Sequence, residues 1–134
     1  VMDVGAVRSN FGMDISRAAI EQRFLPDSLS TDRVRPLPGT TVVYSVPDVM
    51  SIYMGLGMTL EEVVRAATVN GARAIGQEGV LGTLRPGVVG DAAVLELEDG
   101  DFTYDDLTGT VVRCAQRFSP VLTVKDGRIW RPDR

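Results

Sequence analysis

The sequence has 134 residues, 44% of them hydrophobic, and a formal net charge of −4: enough apolar material for a modest packed core and too much for a disordered tail. Its basic residues are scattered, with lysine only at Lys125, and no apolar run approaches the length of a membrane span, so neither nucleic acid nor membrane is an expected partner. Histidine is absent and the single cysteine is Cys114, which excludes Ser-His-Asp and Cys-His triads, His-ligated zinc and an internal disulfide within this chain, and suits a reducing, cytoplasmic setting.

The opening "VMDVG" (Val1 to Gly5) reads as a buried strand with no lead-in, which suggests the C-terminal part of a longer protein. A loop through Ser9 and Asn10 follows. A helix is expected from Asp14 to Phe24, with Ile15 and Ala19, then Ile20 and Phe24, at i, i+4 spacing, and Pro26 just past its end. Ser28 to Thr31 then form a short strand ending at Asp32. Strand, helix, strand makes a βαβ unit and implies parallel pairing. Pro36, Pro38 and Gly39 mark a long loop beyond Asp32.

Ser45 can cap a helix with Pro47 in its first turn and Gly57 at its end. Met50, Ile52, Met54 and Leu56 on it read as core. Thr59-x-x-Glu62 is a capping box opening a second helix, with Leu60, Val63, Val64 and Ala67 as its apolar face and Asn70-Gly71 as its break. From Gly79 the composition becomes glycine-rich, then β-prone. Pro86-Gly87 suits a type II turn, Gly90-Asp91 a second turn, Ala92 to Leu97 a strand ended by "EDGD", and Asp126-Gly127 a type I′ hairpin turn. Cys114 lies in a strand and reads as a packing thiol.

These segments together resemble the metal-dependent amidohydrolases, nearest the dihydroorotase-like amidohydrolase/deacetylase group. In that group a "DVGHG…SFSF" stretch precedes a helix and a "P-D-x-I-S-T-D" strand; here "VMDVG…NFG…PDSLSTD" stands in that order. "TLEEVVRAATVNGARAIG" is similar to the family's final barrel helix, and "GTLRPGVVGDAAVLEL" to the run that returns the chain to a β-domain. The resemblance implies an α/β fold: residues 1–78 as C-terminal βα units of a TIM-type (β/α)8 barrel, and 79–134 as part of a small composite β-sandwich domain.

It further implies hydrolysis of an amide C–N bond, cyclic or N-acyl, by metal-bound hydroxide, with a divalent metal, usually zinc, as one or two ions. Asp32 would be both metal ligand and proton shuttle; the residues alone favour a structural cap or turn at the strand end. Arg8, Asn10 and Arg33 are the candidate substrate-binding residues, against the alternative of solvated loop residues. Ala6 stands where relatives often carry histidine, which leaves open a non-catalytic homologue or interaction module that kept the scaffold. Asp3 reads as a salt-bridged or backbone-bound group. The expected partners are a small-molecule amide, the missing N-terminal part of the same protein and, by family habit, a second identical subunit.

Overall fold

The structure is a computed structural model and describes residues 1–6, 11–32 and 44–132. Two three-residue strands, β1 (Asp3–Gly5) and β2 (Ser28–Ser30), pair in parallel with Asp3 opposite Ser28 and Gly5 opposite Ser30. The Ala6 N–H extends the ladder, donating to the Ser30 carbonyl at 3.1 Å. Helix α1 (Met13–Glu21) makes the crossover between them, so the expected βαβ unit forms. Strand β1 is shorter than expected, because Val1 and Met2 lie outside it.

Helix α1 also stops short of Phe24. Arg23 takes a left-handed φ of 58°, its N–H bonds the Ile20 carbonyl, and the Phe24 N–H bonds the Ala19 carbonyl. These bonds close the helix in a Schellman turn, which satisfies its last carbonyls and reverses the chain. Of the residues expected on the apolar face, Phe24 and Ile15 are exposed and Ile20 is buried, joined by Met13.

Helix α2 (Val46–Gly55) starts as its sequence dictates. The Asp48 N–H donates to Ser45 Oγ and the Ser45 N–H to the Asp48 carboxylate, a reciprocal capping box with Pro47 in the first turn. Val49, Met50, Ile52 and Tyr53 are buried. The helix is sequestered on several sides, packing on the C-terminal sheet, on β2 and on α3 (Leu60–Ala67). The Thr59–Glu62 box opens α3 as expected. Its buried residues are Val63 and Ala66, whereas Leu60 and Val64 are exposed. The break falls at Thr68, with φ −123° and ψ −93°, and α4 (Val69–Ala74) runs through Asn70-Gly71. Thr68 donates its hydroxyl back to the Val64 carbonyl, which competes with the helix ladder. Asn70 spends its side-chain amide on the Asp27 carbonyl at 2.8 Å.

Strands β3 (Ala92–Asp105), β4 (Val111–Lys125) and β5 (Arg128–Trp130) form an antiparallel sheet in that order. The "EDGD" stretch does not end β3; the register slips between Asp99 and Phe102, a bulge that lets the strand continue. No turn forms at Gly90-Asp91: the Asp91 carboxylate instead accepts from the Asp126 N–H and pairs with Lys125. Asp126 and Gly127 have φ of 50° and 72°, as a type I′ turn requires, and Gly87 has the positive φ of a type II turn.

One face of β4, through Val112, Cys114 and Phe118, packs on α2. Contact is closest where a Cβ on Gly55 would collide with Cys114 Sγ. Buried Ser51 bridges the two elements, donating to the Pro47 carbonyl and accepting from the Phe118 N–H at 2.9 Å. The core is therefore continuous from the βαβ unit to the antiparallel sheet. Among the described residues no helix is long and apolar enough to cross a membrane.

Candidate functional site

The C-terminal ends of β1 and β2 lie side by side because the strands are parallel and in register. In α/β folds this is the edge where ligands bind. Asp32 sits two residues past β2, exposed, with a left-handed φ of 44°. That conformation is uncommon outside glycine, although aspartate tolerates it better than most residues. A Cβ added to Gly5 would lie 2.8 Å from Asp32 Cβ. Glycine is therefore required at the end of β1 for Asp32 to take its place.

Asp3 is exposed rather than buried, and its partners are neither a cation nor the backbone. Its two carboxylate oxygens accept from the Ser28 and Ser30 hydroxyls, each at 2.6 Å. The register brings both serines within reach on β2. Ala6 is fully buried and offers no ligand atom. Phe11 faces the core, its ring centroid 5.9 Å from that of Tyr53. Arg8, Asn10 and Arg33 lie outside the described residues.

Cys114 is buried, and burial pushes its thiol up from its ordinary value against a smaller opposing effect of the Gly55 backbone. It is a packing residue, as its sequence context indicates. A shallow depression of about 120 Å³ beside it, lined by Met54, Gly55, Cys114, Ala115 and Gln116, belongs to the α2–β4 contact. Sequence reasoning missed two buried side chains that tie the starts of α1 and α2 to the end of β3: Asp106 and Tyr44. "DLTGT" signals a local aspartate turn at Asp106, but nothing local signals its partner 93 residues away.

Comparisons with known proteins place this fold in a family. Residues 12–130 match the Amidohydrolase family, and the chain belongs to that family, which is a family of enzymes. It is 32% identical over 122 residues to a deacetylase of Brucella anthropi, covering 89% of this chain and 29% of that protein. A 60-residue stretch is 42% identical to an imidazolonepropionase of Porphyromonas gingivalis, covering 44% of this chain and 14% of that protein. A dihydroorotase crystal structure superposes with a TM-score of 0.80 at 28% identity, over 96% of this chain and 34% of that one. An adenine deaminase structure shares the fold at a TM-score of 0.88 and 21% identity, over 97% of this chain and 35% of that one. The chain thus spans about three-tenths of the length of the two deacetylases it matches over 122 residues.

Proposed function

We propose that this chain supplies the C-terminal segment of a metal-dependent hydrolase that cleaves an amide C–N bond in a cyclic or N-acyl substrate. Residues 1–78 would complete a (β/α)8 barrel and residues 79–134 a composite β-domain, in a cytoplasmic enzyme that pairs with a second copy of itself. The observation that carries this reading is Asp32, an exposed carboxylate at the C-terminal edge of a parallel strand pair, accommodated by a glycine on the neighbouring strand. Membership in a hydrolytic enzyme family supports it.

Among the described residues no three His, Cys, Asp or Glu side chains converge to hold a metal, and the chain has no histidine. By itself this chain does not fit a complete metal site; Asp32 offers one oxygen ligand, and the rest would come from outside residues 1–134. A divalent metal of the zinc type, as one or two ions, would supply Lewis-acid polarisation of the carbonyl and an acidified water. Asp32 accepts the proton released as the water oxygen bonds to the carbonyl carbon. It returns that proton to the nitrogen as the C–N bond breaks. One short acid beside a rigid strand end suits both transfers. Arg8, Asn10 and Arg33 would bind the substrate, the arginines through any carboxylate it carries.

The test is Asp32→Asn in the whole protein, with N-acetylated amino acids and cyclic amides as substrates. Turnover should fall by about 10²- to 10⁴-fold, and zinc retained through dialysis, read by elemental analysis, should drop. Unchanged turnover and metal content would overturn the assignment. Ala6 favours a second reading, a homologue that kept the scaffold without the chemistry, since alanine replaces a potential ligand at the end of β1. An H-x-H pair upstream argues for the enzyme; its absence, with no metal bound, argues for the second reading.

A further inference from the structure

We propose that Asp106, on the connection between β3 and β4, is a positioning residue for the Asp32 site, acting with its neighbour Asp105 on the ends of both connections that leave β1 and β2. The catalytic part of this inference rests on the reading of Asp32 given above; the structural part stands by itself.

Asp106 is 1% exposed. Its Oδ1 atom accepts three local bonds, from the Thr108 N–H at 2.9 Å, the Thr108 hydroxyl at 2.7 Å and the Thr110 N–H at 3.0 Å. Those three bonds are what the tight turn requires. Its Oδ2 atom is used elsewhere, accepting from the Met13 N–H at 2.9 Å. Met13 is the first residue of α1, and the N-cap before it, Gly12, has no side chain to cap with. Asp106 therefore caps from across the molecule a helix that cannot cap itself, and its negative charge suits the helix N-terminus. Burial alone would resist that charge, but the donors from Met13, Thr108 and Thr110 outweigh it and hold the carboxyl at about 2.

Asp105 does the equivalent for the other connection. Its carbonyl accepts from the Tyr44 hydroxyl at 2.6 Å, and its N–H donates to the same oxygen at 3.0 Å. Tyr44 is 3% exposed and immediately precedes Ser45, the cap of α2. In chain order, α1 is the element that follows β1, and Tyr44–Ser45 lead into the helix that follows β2. Two consecutive residues of one hairpin thus fix where both connections arrive, while Gly5 and Asp32 meet where they depart. Met13 and Tyr44 belong to the same buried cluster as Ala6, just past β1, and Leu29 of β2, and α2 packs on β2, so a shift at either helix start reaches the strand ends, and a displacement of about 1 Å at a reacting centre is enough to cost about 100-fold in rate.

Asp106→Asn separates the turn from the cap. The amide oxygen can keep the three bonds from Thr108 and Thr110, which leaves the NH2 group facing the Met13 N–H, donor against donor. In the whole protein, hydrogen exchange at residues 13–16 should speed up by about tenfold, while amides of β3 and β4 keep their protection. Tyr44→Phe should do the same at residues 45–49. Where the wild type hydrolyses an N-acetylated amino acid, kcat/KM for Asp106→Asn should fall by at least about tenfold at a temperature well below unfolding, whereas Asp126→Asn in the other hairpin turn should leave it unchanged. Unchanged exchange at 13–16 overturns the inference. So does faster exchange with kcat and KM both intact, which would make Asp106 a structural cap and nothing more. Full activity in Asp32→Asn would instead defeat the Asp32 assignment and leave the exchange result to judge the pinning on its own.

Discussion

Two aspartates, each just past the end of a strand, stand in opposite settings. Asp32 follows a parallel pair three residues long and is exposed, on a left-handed backbone. Asp106 follows a strand of 14 residues and is buried among three backbone N–H groups and a hydroxyl. A buried carboxylate can hold structure but is poorly placed to trade protons with a substrate. An exposed one at a strand edge can reach a substrate. The short parallel pair derives its stability from the helices packed against it, since two such strands alone have open edges.

Exchanging the consequences of the two aspartates is the strongest way to break this comparison. Asp32→Asn is expected to remove about 3–5 kcal/mol of transition-state stabilisation while shifting the unfolding free energy by less than about 0.5 kcal/mol. Asp106→Ala should do its main damage to stability, about 2–3 kcal/mol, because it strips the partners from buried N–H groups. Kinetics and denaturant titration of the same two variants decide it. Equal stability losses would remove the distinction.

The pH dependence sharpens it. Asp106 has a folded value of about 2, below the roughly 3.9 of an unfolded aspartate. Its contribution is therefore fully present above about pH 4 and lost as pH falls through 2. Denaturation midpoints of wild type and Asp106→Asn, compared between pH 5 and pH 2, should converge toward the acid end. Parallel curves would mean that the carboxyl carries no charge-dependent stability.

Much of this was readable in the sequence wherever the signal was local. The Ser45 and Thr59 caps, the Asp126-Gly127 turn, the packing role of Cys114 and the strand-end position of Asp32 all follow from residues within a few positions of one another. What escaped was set by partners far along the chain or by residues standing in for more usual ones. Arg23 holds a left-handed position normally signalled by glycine, so α1 reads as longer than it is. "EDGD" resembles a turn, but a bulge carries β3 through it, since β4 continues to pair on the far side. Asn70-Gly71 resembles a break, yet Asn70 is occupied by the Asp27 carbonyl, and the chain bends earlier, at Thr68. Asp3 bonds serines rather than a cation because the β1–β2 register is invisible before the fold is known.

The contact between α2 and β4 tests whether the two halves share one core. Gly55→Ala drives a methyl group into Cys114 Sγ and Val112 and should cost about 1–3 kcal/mol. Adding Cys114→Ala should return at least about 1 kcal/mol of that as a coupling energy. Additive losses in the double-mutant cycle would mean that the halves adjust independently.

The smallest expected effect concerns the end of α1. Arg23 pairs with Glu62 at 2.6 Å, and that bond, with the Thr59 backbone as the larger influence, holds the Glu62 carboxyl below its ordinary range. Arg23 is largely exposed and Glu62 partly so, so the pair is worth about 0.2–1 kcal/mol at most, set against about 1 kcal/mol or more of left-handed strain. Arg23→Ala loses the pair and keeps the strain; Arg23→Gly loses the pair and relieves it. The glycine variant should therefore be the more stable of the two by about 1 kcal/mol in denaturant titration, and the gap between wild type and Arg23→Ala should narrow as salt is raised. If alanine proved the more stable, the Schellman turn at Arg23 would not be what ends α1.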